Sequence, residues 1–113
     1  MAKCILKTTR KLTQRDTGIK ITDEPEVLDI RVWSIPRTRE YPLGINYSVN
    51  YRIGSVPIIR YDNDEGKGDH RHMFGKEERV EFRSYKEIIR EILRIRRNKS
   101  KEILEYYERK RRQ

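Results

Sequence analysis

Polar and apolar residues alternate along most of this chain, and the period of the alternation changes once. Residues 45–53 read INYSVNYRI, with Ile45, Tyr47, Val49, Tyr51 and Ile53 on one side and Asn46, Ser48, Asn50 and Arg52 on the other. A period of two with one apolar face predicts a half-buried antiparallel strand. Residues 27–33 repeat it, as Leu28, Ile30 and Val32 alternate with Asp29, Arg31 and Trp33. Short apolar stretches with threonine over 3–13 predict an earlier strand, followed by a turn at 15–18. Residues 19–22 read as the start of the second strand, interrupted near Pro25. Pro36, Pro42 and Gly44 mark a loop. Gly54-Ser55 predicts a two-residue hairpin turn, from which 56–61 returns. Pro57 has no ladder donor, so it predicts an edge or a bulge. A polar loop over 62–71 and a short strand over 79–82 complete this part.

From Ser84 the period becomes helical. Ser84 and Glu87 are spaced as a capping box, and Tyr85, Ile88, Ile89, Ile92 and Leu93 trace one helical face. Ile103, Leu104 and Tyr107 continue an apolar stripe, and Asn98-Lys99-Ser100 predicts a bend or break. The expected fold is α+β: a curved antiparallel sheet of about five strands, then a C-terminal helix or helix pair packed on one face. The 113 residues suit one domain with a small core, with 98–113 as a basic helical extension.

Charge changes the picture from fold to partner. Lys and Arg number 27 against 18 acids, a net +9. That excess favours a polyanion, an acidic protein or an anionic surface. With 40% of residues charged, a thermophilic source would explain the density of charge but not its sign. The single cysteine, Cys4, excludes an intrachain disulfide and a Cys-based zinc site. Apolar runs are too short to span a membrane. The basic N-terminal stretch has no apolar core of a signal peptide, so the cytoplasm is the expected compartment.

Three segments could carry chemistry. The loop from Arg60 to His72 holds both histidines, His70 and His72, beside Arg60, Lys67 and Arg71, and its glycines admit close approach to a ligand. Histidine with nearby cations is what metal-free RNA cleavage needs: a base, an acid and a charge for the phosphorane. Other readings compete. The spacing Asp62-x-Asp64-x-Gly66 hints at a calcium loop, but the remaining ligand positions fail. Asp69, His70 and His72 offer only three ligands for a metal. The loop also reads as an ordinary charged connection. The second segment is 94–113, with nine cations against three acids. Arg94, Arg96, Arg97, Arg109, Lys110, Arg111 and Arg112, with Arg60, are its candidate phosphate contacts, against a solvated helix face. The third is the aromatic set Trp33, Tyr41, Tyr47, Tyr51 and Tyr61, which offers base stacking; Tyr47 and Tyr51 fall on the core face.

The runs Arg60-Tyr61-Asp62-Asn63 and Gly66-Lys67-Gly68-Asp69-His70-Arg71-His72, then Gly75 and Glu77, resemble the TumE family of toxin–antitoxin proteins. Val32-Trp33-Ser34-Ile35-Pro36 is similar to the family's Trp-x-x-Pro, Tyr47 and Tyr51 fall where its third strand lies, and Val80-Glu81-Phe82 before Ser84 to its strand-to-helix entry. The resemblance covers about residues 3–95, and the basic tail departs from it. It implies a growth-inhibiting type II toxin, neutralised by a helix-turn-helix antitoxin encoded by the adjacent gene. It draws attention to Arg60, Asp62, Lys67, Asp69, His70, Arg71 and His72. The functional expectation is an RNA-directed toxin, a metal-independent ribonuclease with His70, His72, Lys67 and Arg71 as catalytic candidates and no cofactor. The alternatives are a non-catalytic nucleic-acid-binding module and an interaction protein with an acidic partner. Oligomeric state is open, with a homodimer among the options.

Overall fold

The structure, a computed structural model, describes residues 2–64, 68–81 and 84–113. Six strands form one antiparallel sheet in sequence order: β1 (Lys3–Lys11), β2 (Glu26–Ser34), β3 (Ile45–Ile53), β4 (Val56–Asp62), β5 (His70–Met73) and β6 (Lys76–Arg79). A four-residue helix, α1 (Gln14–Thr17), separates β1 from β2, and α2 (Tyr85–Asn98) and α3 (Ser100–Arg111) follow the sheet. Helices segregated from a curved meander make the fold α+β.

Alternation decides which face is covered. Leu28, Ile30 and Val32 of β2, Val49, Tyr51 and Ile53 of β3, and Ile59 and Tyr61 of β4 are buried in one cluster with Ile88, Ile92 and Ile95 of α2 and Ile103 of α3. The intervening residues of each strand stand on the other face. The Gly54 turn has φ +55°, the left-handed region that glycine tolerates. The pairing shifts between Tyr51↔Ile59 and Arg52↔Pro57, so Pro57 lies beside a bulge.

Three expectations are corrected. Six strands form, because 70–79 folds as a hairpin through Phe74-Gly75 where a polar loop and a strand over 79–82 were expected; Phe82 lies outside the described residues. The expected turn at 15–18 is mostly α1, closed by reciprocal bonds between Thr13 and Asp16. Residues 19–22 are not strand. Their neighbourhood is held by side chains instead: Arg96 donates to the carbonyls of Ile19 (2.6 Å) and Thr17 (3.5 Å), and Arg97 to those of Asp16 and Arg15.

Helix α2 starts where the Ser84 hydroxyl accepts from the Glu87 N–H (3.3 Å). Its deepest residues are Ile88, Ile92, Ile95 and Arg96, with Ile89 and Leu93 half-buried on the flank. Lys99 leaves helical geometry (φ −121°, ψ 32°), which breaks the helix at 98–100. Helix α3 then buries Ile103, Tyr106 and Tyr107.

Among the described residues Arg96 is the largest fully buried side chain. Its Nε donates to Glu26 Oε1 (2.5 Å) and its Nη1 to Ser100 Oγ (2.9 Å). The Tyr51 hydroxyl donates to the same Glu26 carboxylate. Burial works against the Arg96 charge, but the hydrogen bond and field of Glu26 outweigh it and raise the pKa. Burial first, then Glu26, raises that of Tyr51.

Candidate functional site on the open sheet face

Register turns scattered residues into two rows across the uncovered face. One row runs Lys7, Arg31, Ser48, Asp62, His70, Arg79, each opposite the next on the neighbouring strand. The adjacent row runs Thr9, Asp29, Asn50, Arg60, His72, Glu77. Directly opposed residues share a face, and so do residues two apart. Both histidines therefore stand on one face of β5, about 6.6 Å apart along the strand.

Asp62 is the centre of this arrangement. It is buried, and its Oδ2 lies 3.0 Å from Arg60 Nε and 3.9 Å from His72 Nε2. Its Oδ1 accepts from the Asp64 N–H (3.1 Å), and Arg60 reaches Asp64 as well (3.0 Å). Arg60 is thus held by two carboxylates. His70 is also buried, with Nδ1 3.4 Å from Glu77 Oε1. Among the described residues its buried Nε2 has no hydrogen-bond partner, nor has Asn50 Oδ1. A buried polar atom without a protein partner is costly and calls for a water, an ion or a ligand. Two imidazoles, one facing a carboxylate that also holds a guanidinium, form a set able to take up and release protons. Among the described residues no three His, Cys, Asp or Glu side chains converge as a metal site.

The other singled-out residues are dispersed. Arg71 points to the helix-covered face, where it pairs with Glu78 of β6 and lies 3.4 Å from Glu91 of α2. That is the face opposite Asp62 and the imidazoles. Lys67 lies outside the described residues. Asp69 accepts from the Tyr47 hydroxyl (2.8 Å) at the rim of a mostly apolar hollow of about 450 Å³ near Pro42, Ile45 and Ile88. Burial, then that bond, raises the pKa of Tyr47. Tyr51 and Tyr61 are fully buried, and only Trp33 of the aromatic set stands on the open face of the sheet.

The C-terminal cations belong to the helices on the opposite side. Arg96 is corrected from a phosphate contact to a core residue, because its guanidinium is enclosed and paired. Arg97 ties α2 to α1. Arg94 is exposed, 3.5 Å from Glu91. Arg109 and Lys110 lie over the Tyr106 ring and Arg111 over Tyr107, at 5.5, 5.6 and 5.8 Å. Arg111 and Arg112 share Glu108. The tail and the histidines are not brought together.

Residues 1–100 match the family model described as Toxin TumE. No curated protein and no solved structure matches the chain. The family match ends at Ser100, so nearly all of α3 lies beyond it. It covers every residue of the open face described above. The chain belongs to the TumE toxin family.

Proposed function

We propose that this chain is the toxin of a toxin–antitoxin pair and that it cleaves RNA at the open sheet face without a metal ion. Membership in a toxin family supports the toxin role and suggests an antitoxin partner. The observation that carries the RNA reading is the placement of His70 and His72 on one face, flanking Asp62 and Arg60 of the neighbouring strand. One imidazole takes the proton of a ribose 2′-hydroxyl as its oxygen attacks the adjacent phosphorus. The other gives a proton to the departing 5′-oxygen, and a cation balances the charge on the phosphorane. Lys67 is the candidate for that last role, since Asp62 and Asp64 already match the charge of Arg60. The antitoxin is expected to be a helix-turn-helix protein from the adjacent gene, and the pair to act in the cytoplasm. No described helix of this chain is long and apolar enough to cross a membrane.

One observation favours a second reading. Arg60, Asp62 and Asp64 satisfy one another, as in a structural cluster, which suits a module that binds nucleic acid without cutting it. Expression with and without the adjacent gene separates the two. The proposal predicts growth arrest with fragmented RNA, relieved by the antitoxin. Arrest with intact RNA would favour the binding module.

A further inference from the structure

Trp33 belongs to no core cluster, although it is the largest apolar side chain of the molecule. It alternates with Ile30 and Val32, which are buried under the helices, so it stands half-buried on the open face, opposite Asn46 and two residues from Arg31. Arg31 and its cross-strand neighbour Lys7 are exposed, and neither makes an ion pair with a described carboxylate. This differs from Arg60, whose charge is already matched. Lys7 and Arg31 begin the same row that ends in His70 and Arg79. Three strand spacings separate Arg31 from His70, about 14 Å, and four separate Lys7 from it, about 19 Å. At ~3.4 Å per stacked nucleotide those spans hold roughly four to six phosphates.

We infer that the open face is a binding platform for unpaired RNA, with Trp33 stacking on a base and Arg31 and Lys7 holding phosphates upstream or downstream of the histidines. This rests on the RNA-directed reading and names its substrate class. A flat ring flanked by unmatched cations recognises a base with its face free, and the sequence tolerance of stacking follows from every base having such a face. A duplex hides those faces, so it can meet the cations but not the indole.

Trp33 is the chain's single tryptophan, so its own fluorescence reports the contact. The full-length unmodified chain is titrated with a labelled unpaired RNA of eight nucleotides and with a blunt RNA duplex of equal length. Quenching of the indole by the single strand, and little by the duplex, is expected. Trp33→Ala should weaken single-strand binding about 5- to 150-fold, the range of one lost base stack, and Trp33→Phe should recover most of it. Arg31→Ser, at an exposed position, should weaken binding and lower its salt dependence with circular dichroism unchanged. Equal quenching by duplex, or single-strand affinity unaltered in Trp33→Ala and Arg31→Ser, overturns the platform while RNA cleavage stands. If the unmodified chain binds no RNA at all, the platform and the RNA-directed reading fall together.

Discussion

Arg96→Ala should destabilise the protein by about 3–5 kcal/mol, the cost of leaving one member of a buried ion pair without its partner. The geometry puts it toward the upper end. The substitution strands Glu26, which is 9% exposed, and it also removes the donors to the Ile19 and Thr17 carbonyls and to Ser100. Against a typical stability of about 5–15 kcal/mol, that is at least about a fifth of the total. In urea, with a slope near ~2 kcal/mol per molar, the midpoint should fall by roughly 1.5–2.5 M, read by circular dichroism. Replacing both members, Arg96→Met with Glu26→Leu, should recover much of the loss, because two apolar side chains leave no charge to solvate. A midpoint shift below about 0.5 M for Arg96→Ala would refute the enclosed-pair account. So would a loss of RNA affinity with stability unchanged, which is what a surface phosphate contact gives.

Other outcomes follow from the same structure. Ile92→Ala, at a fully buried site, should cost about 2–5 kcal/mol, and Ile89→Ala clearly less because Ile89 is only half-buried. Removing residues 109–113 should leave a folded protein that has lost three cation contacts, two to Tyr106 and one to Tyr107, about 1.5–3 kcal/mol in all. Removing 101–113 takes Ile103, Tyr106 and Tyr107 from the core, and urea melts should show the fold lost or close to it. If the tail also contacts phosphate, the shorter truncation lowers the log–log salt slope for single-stranded RNA by up to ~3. Asp29 gives a pH test. The Arg52 hydrogen bond holds its carboxyl below the usual range, burial opposes this, and Thr9 assists. A depressed folded pKa stabilises above the unfolded value, about 3.9, and that stability is lost as pH falls through the folded pKa. The gap in urea midpoint between the unmodified chain and Asp29→Asn should therefore hold from neutral pH to about 5 and close in stronger acid. A gap that widens on acidification would contradict the pairing.

Much of this fold was legible because local patterns and global packing agree. The alternation over 27–33 and 45–53 told which side chains enter the core, and the same rule put His70 and His72 together with Arg71 opposite. Ser84 and the 98–100 break set the helix ends. Strand register was not legible. Lys7, Arg31, Ser48, Asp62, His70 and Arg79 become one row only through five pairings, of residues 8 to 24 apart, whose register depends on the connections and bulges between strands. Arg96 was misread for a different reason. Its charge suggests solvent, yet it lies four and eight residues after Ile92 and Ile88, on the apolar stripe. That spacing was the available signal, and Glu26 at the head of β2 was the missing counterpart. The nine cations of 94–113 looked like one surface, but Arg96 is enclosed in the core and the exposed Arg97 donates to the carbonyls of α1.

The central claim is metal-independent RNA cleavage by the histidines of β5. The most direct measurement is cleavage of RNA by the purified chain in excess EDTA, for the unmodified protein and for His70→Ala and His72→Ala of confirmed fold. Undiminished cleavage in EDTA, with a loss of about 10²–10⁴-fold in each variant, is predicted. Cleavage abolished by EDTA, or retained in full by both variants, would contradict it.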